Sequence, residues 1–206
     1  MDIRITEEES ILAQLVSMSA LITALSTNNF LQSDFYNQMC LFGDNHSIQS
    51  CEEKNAELCV REILKKSGEI NPATVQMLLY ALIVIPKELL ADKNDYEKCI
   101  ELCASQVNDF ASEFATKKFS TYKDESDDNI DYYKHIRNAL AHSKCTYTPE
   151  GNALNYITFQ DINMKDKSQR CEIEIPTFAL ADLVISLQAI LLAHLNIIWE
   201  TRKSLK

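Results

Sequence analysis

Turn-forming residues are scarce. Only three glycines and four prolines stand in 206 residues, which argues against a fold of many short strands and favours long helices. No Cys-x-x-Cys pair occurs among the seven cysteines, so a zinc knuckle has no support and no metal or other cofactor is expected. The odd count, the scattered placement and the lack of a signal-peptide pattern point to reduced thiols in a cytoplasmic protein. Cys99 and Cys103, one helical turn apart, read as small hydrophobes in a core stripe. A long apolar run is missing too. "MLLYALIVI" (77–85) is the longest, and it is too short to span a bilayer. It reads as a buried central helix, with no membrane partner.

Positive charge is in deficit. Twenty Lys and Arg face thirty Asp and Glu, for a formal net charge of −10. Phosphate repels such a surface, which excludes a general nucleic-acid coat and makes DNA an unfavourable partner. A small, locally basic site remains compatible with it. The rest of the composition, 46% apolar and 24% charged, is that of an ordinary globular protein, and the length suits one domain spanning 1–206.

The apolar spacing is mainly helical. From Thr6 to Ser26, the residues Ile11, Leu15, Met18, Ile22 and Leu25 predict one buried face, with Thr6 and Glu9 as a capping box. A short helix is expected within 28–47, stopping near Gly43. "SCEEKNAELCVREILKKSG" predicts a helix with Leu58, Ile63 and Leu64 inward, lysines late and Gly68 as its stop. Asn71 caps the next helix, with Pro72 at its first position; Pro86 kinks or restarts it. A helix from about Tyr96 to Phe119 carries the stripe Cys99, Cys103, Val107, Phe110 and Phe114. "YKDESDDN" (122–129) reads as a solvated acidic connector, since it lacks the glycine-centred spacing of a calcium loop. A helix over about Asp128–His142 follows. Then "NALNYITFQDINM" and "RCEIEIP" predict a β-hairpin or an extended excursion, at about 154–175. The final helix, Thr177 to about Lys203, has a stripe from Leu180 to Ile198. The fold class expected is all-α: an antiparallel helical bundle with a small β-hairpin inserted before its last helix.

One stretch breaks the acidic pattern. "YYKHIRNALAHSKCTY" (132–147) holds Lys134, His135, Arg137, His142 and Lys144 and no acidic residue. On a helix, His135, Asn138 and His142 share a face at i, i+3 and i+7, while Tyr133, Ile136 and Leu140 form the stripe that holds it down. Arg137 lies on the flank, its long side chain able to lean toward a common cleft.

Within it, "RNALAH" resembles the signature of the HEPN superfamily of helical proteins: an arginine, four to six residues, then a histidine, with a polar residue often following the arginine. Arg137, Asn138 and His142 occupy the three places, on a late helix of a mainly helical chain. The hairpin and final apolar helix resemble plasmid- and defence-associated members. The resemblance implies a homodimer whose motif helices meet at the interface, each protomer bringing one arginine and one histidine to a shared groove. It also implies metal-independent RNA cleavage by a toxin of a toxin–antitoxin or phage-defence system, with a cognate antitoxin protein as a further partner.

Residue chemistry supports part of this. Metal-free RNA cleavage needs a group that moves protons near neutrality, and histidine is that group. It also needs a fixed cation for the charge growing on phosphorus, and a guanidinium supplies it. The 2′-hydroxyl would be the nucleophile, which selects RNA over DNA. His142 is thus expected as general acid/base and Arg137 as transition-state stabiliser. Asn138 would orient either the histidine or the phosphate. His135 is read either as a supporting residue or as a solvent-facing neighbour. Two copies of Lys134, His135, Arg137 and Lys144 would line a positive groove. Tyr147 is weighed between stacking on a base and packing in the hairpin. His46 carries no signal, and His194 reads as a satisfied core histidine. The competing function is a noncatalytic HEPN-like module that holds RNA, a nucleotide or a protein partner.

Overall fold

The computed structural model describes residues 5–39, 51–68, 71–90, 93–126, 129–150 and 153–204. Its helices are α1 (Glu7–Thr27), α2 (Asp34–Gln38), α3 (Cys51–Ser67), α4 (Pro72–Leu79), α5 (Ile85–Leu90), α6 (Asn94–Phe114), α7 (Tyr132–Ala141) and α8 (Thr177–Ser204). Its strands are β1 (Lys117–Ser120), β2 (Cys145–Glu150), β3 (Ala153–Ile162) and β4 (Arg170–Pro176). The expected stop near Gly43 and the loop position of His46 lie outside the described residues.

The helix starts follow their sequence signals. Thr6 and Glu9 close a reciprocal capping box on α1, and the Asn71 side chain accepts from the Thr74 N–H with Pro72 next in line. Gly68 ends α3 at φ 77, a conformation only glycine adopts without strain. Pro86 withdraws the N–H that the Leu82 carbonyl would need. Directly before it, the chain widens to a π-helical stretch over Tyr80–Val84, joining α4 to α5.

The core is continuous. Val75, Leu78, Leu79, Leu82 and Ile83 of the central helix, Leu180, Leu183, Leu187, Leu191 and Leu195 of α8, and Val107 and Cys103 of α6 are all buried in it. Cys99 joins them, as its spacing predicts. From the sheet, alternate residues Cys171, Ile173 and Ile175 of β4 point inward, and Glu172 and Glu174 between them stay half-exposed. That alternation is the two-residue period of a strand covered on one face.

Four expectations are corrected. The hairpin is part of a four-stranded antiparallel sheet in the order β1-β4-β3-β2. The helix expected to run to Phe119 stops at Phe114, because β4 offers a free edge that residues 117–120 fill, opening with the Thr116 N–H on the Glu174 carbonyl at 2.9 Å. The buried face of α1 is Glu9, Leu12, Val16 and Ser19, turned one residue, or about 100°, from the apolar set. Met18 stays 57% exposed. The polar pair goes inward because each member finds a partner there: Arg202 and Tyr96 on Glu9, and Gln188 on Ser19. Leu58 and Ile63 of α3 are exposed, at 60% and 58%. By length and composition alone, Glu7–Thr27, Pro72–Leu90 and Thr177–Lys203 are long and apolar enough to cross a membrane, so the nine-residue run does not settle that question. In this fold the second and third put much of their apolar surface into the core, whereas the first buries Leu12 and Val16 and leaves Ile11, Met18 and Leu21 exposed.

Candidate functional site

The basic segment becomes α7, set between α6 and the sheet. Asp131 caps its start by accepting from the Lys134 N–H at 3.1 Å, and Asn108 of α6 accepts from the Tyr133 N–H at 2.8 Å. Tyr133, Ile136 and Leu140 are buried as their stripe requires. The helix closes in a Schellman arrangement: the Ser143 N–H reaches the Leu140 carbonyl at 3.2 Å, and the Lys144 N–H reaches the Ala139 carbonyl at 2.8 Å. The residue forced into the left-handed region is Ser143, at φ 53, where glycine is the usual occupant. His142 is the C-cap. It is exposed, and no side-chain hydrogen bond to it is seen among the described residues.

His135 is the histidine the structure treats differently. It is 1% exposed, so the solvent-facing reading is wrong. Its Nδ1 lies 2.7 Å from Asp161 Oδ2, and its Nε2 lies 2.8 and 2.9 Å from the two oxygens of Glu125. The Tyr122 ring lies against the imidazole at 4.6 Å between centroids. Asp161 Oδ2 also accepts from the Tyr122 hydroxyl at 3.1 Å and from Asn138 Nδ2 at 3.0 Å. The other end of Asn138 accepts from an Arg137 guanidinium nitrogen at 2.7 Å. A continuous polar chain therefore runs Glu125–His135–Asp161–Asn138–Arg137.

Both carboxyls are held below their usual range. For Asp161, burial pushes upward, but hydrogen bonds from His135, Asn138 and Tyr122 outweigh it. For Glu125, burial is likewise outweighed by the Ser120 hydroxyl, which donates at 2.6 Å, and by His135. Ionised carboxylates only accept, so each ring nitrogen of His135 faces a hydrogen-bond acceptor.

The remaining expected site residues separate. Lys134 stays exposed but sets its Nζ 3.5 Å from Glu125 and 4.7 Å from the Tyr122 ring centroid. The expected groove cations therefore shrink to Arg137 and Lys144, because Glu125 and Asp161 engage Lys134 and His135. Lys144 is exposed. The half-buried Tyr147 gives its hydroxyl to Gln76 and packs against the core, in the hairpin role weighed against stacking. Asn138 turns to Asp161 and Arg137 and does not bond His142, and His135 and His142 do not meet. Arg137 and His142 lie about 140° apart around the helix axis, and Arg137 folds onto Asn138 instead of leaning across. His194 is half-buried and meets the Asp95 carbonyl at 2.8 Å. Among the described residues, no group of three or more His, Cys, Asp or Glu is arranged to hold a metal ion.

Glu125 and Asp161 were missed by sequence reasoning. Glu125 sits in the stretch read as a solvated connector, yet its side chain is 6% exposed. Asp161 is the one charged residue in β3, which was the one available signal.

Comparison with curated proteins and with solved structures gave no match. Residues 11–197 match the model of a family described as HEPN pEK499 p136. That stretch takes in the central helix, α6, the whole sheet, α7 and nearly all of α8, so the chain belongs to a HEPN family.

Proposed function

We propose that this protein is a metal-independent endoribonuclease that works as a homodimer, with Arg137 and His142 of each copy at a shared groove. The supporting observation is the contrast between the two motif side chains and their neighbours. Arg137 is held by Asn138, while His142 stands exposed at the end of the same helix with its ring unpartnered among the described residues. A general acid/base must reach its proton, and a phosphate-binding cation must be fixed before the charge develops.

Because the two diverge around one helix, a common target requires a second α7. In the shared groove, His142 withdraws the proton from the 2′-hydroxyl, which attacks the adjacent phosphorus. Arg137 stabilises the charge on the phosphorane oxygens. The leaving 5′-oxygen takes up a proton, and the products are a 2′,3′-cyclic phosphate and a 5′-hydroxyl. Such a nuclease would serve as the toxin of a toxin–antitoxin or phage-defence system, with a cognate antitoxin protein as partner, acting in the cytoplasm. Incubating single-stranded RNA with the purified protein in EDTA tests the reaction. Cyclic phosphate ends are expected, with a 2′-deoxy strand left intact; 3′-hydroxyl ends would exclude this route.

The net charge of −10 favours one other reading, a noncatalytic module whose acidic surface binds a basic protein partner. Induced expression separates the two, since a soluble dimer that leaves growth unchanged supports the module.

A further inference from the structure

We propose that Glu125, His135 and Asp161 form a buried positioning cluster that fixes the direction of the Arg137 guanidinium through Asn138. This rests on the ribonuclease reading for its purpose, though not for its geometry.

Three separate elements meet in the cluster: the connector after β1, the helix α7 and the strand β3. All three side chains are nearly fully buried, at 6%, 1% and 7% exposure. Every link is of hydrogen-bond length, from 2.7 to 3.0 Å along the chain from Glu125 to Arg137. The chain has a direction. His135 and the Tyr122 hydroxyl occupy Asp161 Oδ2 from one side. The Asn138 amide must then present its N–H to that oxygen, which leaves Asn138 Oδ1 pointing outward as an acceptor. The Arg137 guanidinium, which only donates, is the group that acceptor selects. Were Asn138 flipped, its amide N–H would face the guanidinium and its oxygen would face a carboxylate.

Charge points the same way. The Glu125 and Asp161 carboxylates are engaged by the His135 ring, and Glu125 by Lys134 as well. Arg137 is the cation left over. It touches the cluster through a neutral amide, and among the described residues no carboxylate pairs with it. A directly paired arginine would be equally rigid but would have lost much of its pull on phosphate. A neutral link keeps the position and leaves the charge free.

A purely structural cluster would hold the sheet to α7 without affecting Arg137, and Asn138 separates the two cases. The parent protein, Asn138→Ala and Asp161→Asn are compared by nitrogen-15 NMR of the arginine and histidine side chains, by thermal unfolding and by RNA cleavage in EDTA. In the parent, slow exchange of the Arg137 guanidinium N–H groups is expected. Asn138→Ala should leave the His135 signals and the unfolding midpoint near parental while the Arg137 N–H groups exchange freely. Asp161→Asn should disturb both residues. If the protein cuts RNA, both variants should lower kcat by about 10- to 100-fold, in line with a misplaced catalytic group, with KM within about twofold. Arg137 signals unchanged in Asn138→Ala would overturn the proposal. A parent that cuts no RNA would defeat the ribonuclease reading alone, because the spectra still decide the positioning.

Discussion

Asp161, on the third strand of the sheet, lies 2.7 Å from the ring of His135 on the motif helix. This contact ties the sheet to the segment on which Arg137 and His142 stand. It makes the sheet part of the site's scaffold, though no expected site residue other than Tyr147 lies in a strand.

Cutting that tie should be costly. Asp161→Ala leaves a buried imidazole facing Glu125 alone and removes the acceptor of Tyr122 and Asn138. Breaking a buried charged contact by removing one partner destabilises by about 3–5 kcal/mol. Urea unfolding of the variant against the parent measures it, and a loss below about 1 kcal/mol would show that the contact contributes little.

Acid should unfold the chain through Glu9. That carboxylate is 1% exposed, takes two Arg202 nitrogens at 2.7 Å each and accepts from the Tyr96 hydroxyl at 2.6 Å. Burial opposes its ionisation, but Arg202 and Tyr96 more than offset it and lower the carboxyl from 4.5 to about 2. A carboxyl lowered in the fold stabilises above its unfolded value and loses that contribution as pH falls from about 4.5 toward about 2. The contribution is on the order of 3 kcal/mol. Unfolding free energy measured from pH 7 to pH 2.5 should therefore drop in that window, and Glu9→Gln should flatten the drop.

Ser143 should be improvable. A non-glycine residue in the left-handed region costs roughly 1 kcal/mol, and Ser143 sits there at φ 53. Ser143→Gly should raise stability by about 0.5–1 kcal/mol, and Ser143→Val should lower it. Thermal unfolding of the two variants reads the difference in sign. Relief of strain next to His142 should also loosen that residue, so if the protein cuts RNA the glycine variant is expected to cut more slowly while being more stable.

The two lysines of the basic segment should differ. Both are exposed, but Lys134 is engaged with Glu125 and Tyr122, whereas no side-chain partner of Lys144 is seen among the described residues. If the site binds RNA, Lys144→Ala should reduce the slope of log affinity against log salt by about 0.7, the value of one phosphate contact on a single strand. Lys134→Ala should leave the slope near parental. Anisotropy titrations with a 2′-O-methyl oligonucleotide, which cannot be cleaved by 2′-hydroxyl attack, provide the measurement.

The sequence was informative wherever local rules decide the outcome. The Thr6–Glu9 box, the Asn71–Pro72 start, the Gly68 stop and the stripe along α8 all rest on neighbours within one or two turns, and each is present as read. Partners distant in sequence decided the rest. Glu9 and Ser19 face inward because of residues 193 and 169 positions away, which no helical period can show. Residues 117–120 became a strand because β4 lay beside them. His135 was buried by Glu125 and Asp161, 10 and 26 residues distant, so its role was not legible from the motif helix alone. Ser143 carried no glycine signal, and its left-handed turn was missed for that reason.

The most direct measurement is the rate of single-stranded RNA cleavage in EDTA by the parent, Arg137→Ala and His142→Ala proteins, each with its unfolding midpoint. Cleavage by the parent is expected, with each variant slowed at least 100-fold, as loss of a general acid/base or a charge-stabilising group implies, and with midpoints close to the parent's. Cleavage by the His142→Ala protein at the parental rate would contradict the assignment of Arg137 and His142 as the reacting pair.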